Sequence, residues 1–274
     1  MIGRATAPEQ SGASRPHTMS TDMIDCVLSE LSEGVLTLRL NRPEKYNALT
    51  NAMYTTLANI LFAANQDPAV RVVIITGGST FFTSGNDLRD FLETPPTHLE
   101  APAFLFMKSV VDLVKPLIAG VCGAAIGIGT TLLPHCDLVY ITRDSKLSMP
   151  FVKLGLCQEF AASLTMPTIL GPTRAAQLLL CGDTFSGQQA ADWGLANAAF
   201  DSAEECLEAA RSQARKLAAA PQDALRTSRK LLRSSTLDTL RAIIQAENEA
   251  FITRVQTDVA RDTLQALVNT SGKR

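Results

Sequence analysis

Two glycine-bearing turns in this 274-residue chain carry residue types that could hold a negatively charged oxygen. The first lies in Ile118–Thr131, reading IAGVCGAAIGIGTT, where the apolar run Leu117–Val121 gives way to glycines and then to a helix-like segment, Gly127–Leu133. A strand–turn–helix junction of this kind leaves backbone N–H groups unpaired at the positive end of a helix dipole. Glycine lets another group come close to them. The second turn, Thr83-Ser84-Gly85-Asn86-Asp87-Leu88, follows another apolar run. Together the two could aim a pair of N–H donors at one oxygen. Each taken alone reads better as an ordinary tight turn, so residue types leave both readings open.

The elements that must position these turns follow from apolar spacing. Val35–Leu40 alternates, with Leu36, Leu38 and Leu40 on one face and Thr37 and Arg39 on the other, the pattern of a half-buried strand. A polar loop, Asn41–Ala48, precedes a helix capped by Thr50 or Asn51 and running to about Asn65. Strands are expected at Val70–Thr76, Leu117–Cys122, Asp137–Ile141 and Lys146–Ser148, with helices at Ala101–Val114 and Gly127–His135 between them. Such alternation argues for an α/β fold with helical crossovers. From Ala161 onward the chain reads as all-helical: Thr173–Leu180, Ser186–Trp193, Ser202–Ala219, Pro221–Arg233 and one long amphipathic helix over Thr236–Val268.

Composition narrows the function. With 46% hydrophobic residues the chain is long enough for one large core, or a core with a helical appendage. A net charge of −2 argues against a nucleic-acid partner, and no apolar run reaches the roughly 18 residues of a membrane span. Cys26, Cys122, Cys136, Cys157, Cys181 and Cys206 form no CxxC pair, and His17, His98 and His135 are scattered. That pattern predicts buried thiols in a reducing, cytoplasmic setting and no metal site. Residues 1–22, rich in Ala, Ser, Gly and Pro, read as a disordered tail. Arg4 and Arg15 resemble a transit peptide faintly, and a start at Met19 or Met23 explains the tail at least as well.

Five phrases in order make the chain similar to a known family. They are Asn41-Arg42-Pro43-Glu44-Lys45-Tyr46-Asn47-Ala48-Leu49, Ser84-Gly85-Asn86-Asp87-Leu88, Lys115-Pro116-Leu117-Ile118-Ala119, Gly127-Ile128-Gly129 and Cys136-Asp137-Leu138-Val139-Tyr140. They resemble the crotonase, or enoyl-CoA hydratase/isomerase, superfamily from about Val27 to the C-terminus. The SGNDL phrase and Pro150–Glu159 look most like the peroxisomal-type Δ3,Δ2-enoyl-CoA isomerases and their bacterial relatives. The resemblance implies an α/β spiral of ββα units over residues 23–200. It also implies a helical region, residues 201–274, through which three chains assemble as a homotrimer or a dimer of trimers.

It further implies a site for an acyl-CoA thioester, with CoA as part of the substrate and no separate cofactor. By motif the two oxyanion donors are the N–H groups of Asn86 and Ile128. The positions of the two hydratase glutamates hold Thr131 and Phe151, neither of which can act as a carboxylate base. Glu159 falls where the isomerases carry their single acid/base, among apolar Leu156, Phe160, Ala161 and Ala162. Burial there should raise its pKa into a useful range. Without the resemblance, Glu159 reads better as a carboxylate at a helix start. Lys45 could meet a CoA phosphate, and Asn47, Ala48, Ser84, Gly85, Asp87 and Leu88 would surround the CoA moiety. Lys45 reads equally as a solvated loop lysine, and Asp87 better as a turn former. Asp137 is expected to buttress a strand start. A hydratase with an unusual site, another crotonase reaction and a non-catalytic acyl-CoA-binding protein are the competing readings.

Overall fold

The computed structural model describes residues 26–271; the expected tail, residues 1–22, lies outside the described residues. A six-stranded sheet organises the molecule. Its strands are β1 (Val27–Ser32), β2 (Val35–Leu40), β3 (Val72–Thr76), β4 (Leu117–Val121), β6 (Leu138–Thr142) and β9 (Ala198–Phe200), adjacent in that order. β1 and β2 form an antiparallel hairpin, and every later neighbour is parallel. A smaller sheet holds β5 (Ala124–Ile126), β7 (Lys146–Ser148) and β8 (Phe185–Ser186).

Successive strands divide between the two sheets. β4 joins the large sheet and β5 the small one; β6 and β7 repeat the step. The corner between β4 and β5 is Gly123, at φ 72°, where an added Cβ would sit 2.0 Å from the Thr80 carbonyl oxygen. Only glycine fits that corner. Each strand pair then feeds a helical segment, giving the expected spiral of ββα units.

The central parallel strands β3 and β4 are buried on both faces, as crossover helices require. On one side, Leu38, Val73, Ile75, Ala119 and Val121 belong to the main core with α1 (Asn51–Gln66) and α3 (Pro102–Val111). On the other, Val35, Val72, Ile74 and Ile118 meet α8 (Ala203–Ala219) through Ala210, Ala214 and Ala218. That four-residue alanine spacing brings the helix backbone close to the sheet.

Several boundaries differ from expectation for identifiable reasons. The helix expected over Gly127–His135 is one turn, α4 (Ile128–Thr131), followed by a 3-10 turn at Leu133–His135, because Pro134 cannot continue an α-helix. The part from Ala161 onward is not all-helical. β8 lies in it, and β9 extends the main sheet beside β6. Helix α5 (Ala162–Leu170) begins it, despite the internal Pro167. After α6 (Pro172–Ala176) comes a π-type turn, Gln177–Cys181; α7 (Gly187–Asp192) and α9 (Gln222–Ser234) follow the expected order. The long helix expected over Thr236–Val268 is two, α10 (Leu237–Val255) and α11 (Asp258–Ser271). Thr257 makes the break: its N–H reaches Arg254 O at 3.1 Å, and its hydroxyl accepts from Ala260 N at 3.3 Å.

Among the described residues no helix is long and apolar enough to cross a membrane, and no cluster of His, Cys, Asp and Glu could hold a metal ion. The described cysteines are unpaired; Cys122 and Cys206 are buried, whereas Cys181 is exposed.

Candidate active site

The two glycine turns lie side by side because their strands pair. Ile126 N donates to Thr83 O at 3.0 Å, Thr83 N donates to Ala124 O at 2.9 Å, and Thr83 and Ala125 form a parallel bridge. Three residues on from each bridge partner stand Asn86 and Ile128. Parallel register therefore brings these two residues to the same end of the paired segments. Gly85, at φ 90°, turns the first segment, and Gly127, at φ 56° and ψ −118°, turns the second. Ile128 opens α4 (with its N–H among the orphans of a helix start), and neither amide has a backbone acceptor among the described residues.

Both residues line one cavity of about 60 Å³, together with Ser84, Gly85 and Leu88. Phe151, Leu154 and Leu156 supply another wall, and α10 and α11 contribute Phe251 and Leu264. The cavity is thus closed by residues more than a hundred positions apart in the chain.

Glu159 is 4% exposed and does not line that cavity. Its carboxyl is tied to the wall instead. The Thr131 hydroxyl donates to Glu159 Oε1 at 2.6 Å, and Thr131 is the last residue of the helical turn that Ile128 begins. Burial is the main cause that pushes the Glu159 pKa up to about 8; the Thr131 hydrogen bond opposes the rise, and the negative charge of Glu247 adds to it.

The bend that carries Glu159 has Phe160 and Ala161 both in the left-handed region, at φ 60° and 54°. Such conformations cost energy for residues with a Cβ and persist only when their surroundings hold them. Two buried side chains do so. His135 stacks on Phe160 with ring centroids 3.9 Å apart, and its Nε2 lies 2.7 Å from Phe160 O. Burial pulls the His135 pKa down to about 4, so near neutrality the ring is uncharged, with a proton on Nε2 to donate. From the other side Glu247 Oε1 accepts from Ser163 N at 2.9 Å.

Tyr54 of α1 closes the circuit. Its hydroxyl donates to the side chain of Asn86, at Oδ1, across 2.5 Å. Burial is the main cause holding its pKa well above the usual phenol value, and the charge of Glu159 adds to it. The phenol thus bonds to the Asn86 turn and lies within electrostatic reach of the carboxylate. No sequence signal marks Tyr54, which sits at helical spacing among core residues, or Glu247, which sits in a run of polar residues.

Other expected site residues play visible structural parts. Asn47 is buried at φ 54°; its Nδ2 lies within hydrogen-bond reach of the Gly77, Phe81 and Phe82 carbonyls, while its Oδ1 accepts from Arg42 N. Ala48 donates to Lys45 O and accepts from Arg42 Nη1. Asp87 caps α2 (Leu88–Glu93) and pairs with Arg42 at 2.6 Å, which holds its carboxyl below the usual range against the opposing effect of burial. Lys45 is exposed on a 3-10 turn. None of these four lines the cavity. Asp137 accepts from Leu117 N, buttressing the start of β4 as expected, and pairs with Arg229 of α9 at 2.8 Å.

The family model described as enoyl-CoA hydratase/isomerase matches residues 30–272. The chain belongs to that family.

Members of the enoyl-CoA hydratase/isomerase family similar to it catalyse different reactions. A 1,2-epoxyphenylacetyl-CoA isomerase of Escherichia coli K12 is 32% identical, over 83% of this chain and 89% of its own length. A 2,3-dehydroadipyl-CoA hydratase of the same organism is also 32% identical, over 86% of this chain and 92% of its own. The human enoyl-CoA delta isomerase 2 is 32% identical over 77% of this chain, which spans only 55% of that relative's length. Among solved structures, Pseudomonas aeruginosa OdaA is 48% identical with a TM-score of 0.87, covering 89% of this chain and 98% of its own.

Proposed function

We propose that this enzyme moves a double bond within an acyl-CoA thioester, converting 3-enoyl-CoA to 2-enoyl-CoA, with Glu159 as its single acid/base. The observation that carries the reading is the bond between Thr131 and Glu159. Thr131 stands where a hydratase of the family would carry a glutamate, and here it serves the Glu159 carboxyl. The other such position holds Phe151, a cavity wall.

The chemistry needs one base and one oxyanion site. Glu159, ionised, takes a proton from C2. The electron pair spreads into the thioester carbonyl, whose oxygen gains negative charge. The N–H groups of Asn86 and Ile128 receive that oxygen; in a dry site one such donor contributes about 3–4 kcal/mol. The protonated Glu159 then returns the proton at C4, and the double bond rests between C2 and C3. A pKa near 8 suits a group that must both take and return a proton.

Among the described residues no carboxylate lines the cavity to activate water, and Phe151 fills the second hydratase position with an apolar ring. Lys45 is the proposed contact for a CoA phosphate, with Ser84, Gly85, Asp87, Leu88, Asn47 and Ala48 framing the approach of the CoA. Assembly as a homotrimer or hexamer is proposed through the helical region, where Leu231 and Leu232 of α9 are 69% and 83% exposed.

The deciding experiment assays a panel of acyl-CoAs for both double-bond migration and hydration, in the native enzyme and in Glu159→Gln. Migration should dominate and should fall by orders of magnitude in the folded variant. Near-native turnover in that variant would sink the proposal, as would 3-hydroxyacyl-CoA as the main product.

A further inference from the structure

Glu247 lies on α10, 84 residues from the nearest backbone amide it holds, and the proposed reaction gives it no part. It is 7% exposed. Its Oε1 accepts from Ser163 N, and the amides of Ala161 and Ala162 also stabilise its charge. These amides lie where α5 starts, at and directly after the left-handed Phe160–Ala161 bend; that of Ala162 also donates to Glu159 O at 3.1 Å. Its Oε2 has no hydrogen-bond partner.

A buried carboxylate with one oxygen unpartnered is costly. The polar groups around it explain the form in which it is held. Burial pushes its pKa up, and the amides of Ser163, Ala161 and Ala162 oppose that rise by favouring the carboxylate. The ionisable groups facing it are Glu159 and Cys157; Arg254, from the same helix, also faces Cys157 while donating to Gly155 O. In its ionised form Glu247 brings a negative charge to the bend that carries Glu159.

We propose that Glu247 is a positioning residue for the base, one that holds the bend through the start of α5 and sets the proton affinity of Glu159 through its charge. This rests on Glu159 being the base only for its catalytic consequence; the effect on Glu159 itself does not depend on turnover. Two roles meet in one side chain. The amide contacts fix where Glu159 points, and the charge fixes how strongly it binds a proton.

Glu247→Gln separates them, because the amide side chain still offers an oxygen to Ser163 N but carries no charge. The test labels the enzyme with glutamate carrying carbon-13 at the carboxyl and follows the Glu159 signal, identified by its loss in Glu159→Gln, as pH is varied. In Glu247→Gln the Glu159 midpoint should drop by about one pH unit or more, and the rising limb of kcat/KM should move down with it. A midpoint equal to that of the native enzyme would overturn the proposal. If Glu247→Gln does not fold, Glu247→Asp decides: the charge stays while the shorter side chain withdraws from Ser163, so the midpoint should stay high and kcat should fall with KM little changed. A Glu159 midpoint in the ordinary carboxylate range in that variant would also overturn it. A shifted midpoint together with an active Glu159→Gln enzyme would leave this role standing and refute Glu159 as the base.

Discussion

The hydroxyl of Thr131 and the carboxyl of Glu159 are joined by a 2.6 Å hydrogen bond between two buried side chains 28 residues apart. It links the turn that carries one proposed oxyanion donor to the group proposed to move the proton. The two parts of the chemistry are therefore held in one frame.

Replacing Thr131 by Val removes the one hydrogen bond that favours the ionised form of Glu159. A hydrogen bond to a charged group is worth about 1.5–3 kcal/mol, or roughly one to two pH units. The rising limb of kcat/KM should shift upward by that amount, and activity at pH 7 should fall about tenfold or more. Thr131→Ser should restore most of it. A pH–rate profile of the three proteins checks this.

Glu159 should cost the fold stability as pH rises. Its folded pKa, about 8, exceeds the unfolded carboxylate value, so between those values the native state holds a proton that the unfolded state has released. Its contribution to stability is fully present below the unfolded value and falls by up to about 1.4 kcal/mol per pH unit as pH rises towards 8. Glu159→Gln should therefore gain melting temperature relative to the native enzyme as pH goes from 5 to 8 while losing activity. Parallel thermal melts across that range measure the difference.

Gly85→Ala should damage catalysis more than folding. Gly85 sits at φ 90°, and an added Cβ would lie 3.0 Å from Ile126 O on the partner turn. The strain falls on the peptide that presents the Asn86 N–H. Loss of one such donor costs about 10²–10³ in kcat, so a fall approaching the lower figure is expected, with KM changed much less. Steady-state kinetics and circular dichroism together test it.

Arg229 ties α9 to the sheet: its Nε reaches Asp137 and its Nη1 reaches Leu113 O at 2.5 Å. Arg229→Leu removes both and leaves the half-buried Asp137 with the Leu117 amide and the charge of Arg233. Breaking a buried pair costs about 3–5 kcal/mol; the exposed edge of Asp137 lowers that, so a loss near 2–3 kcal/mol is expected in denaturant unfolding.

Strands β2, β3, β4, β6 and β7 and the two glycine turns are legible because their signals are local: apolar alternation, β-branched runs, and glycine where the backbone must turn; β1, β5 and β8 carry no such signal. Asn86, Ile128 and Glu159 came from motif order. What stayed hidden depends on contacts distant in sequence. Tyr54 looks like any core aromatic of α1 until Asn86 is found 2.5 Å away. Glu247 looks like a solvated helix residue until α5 is placed against it. The α10–α11 break carries neither glycine nor proline, only a threonine that caps, and α5 was obscured by Pro167. β9 is three residues long and earns its place only from the register of β6.

Phe251 and Leu264 close the cavity that the Asn86 and Ile128 turns open. During synthesis those turns emerge more than a hundred residues before the groups that seal them. A nascent chain with its sheet already formed still presents an open, wet pocket to the cell. The cavity is thus completed late in translation, when α10 and α11 leave the ribosome.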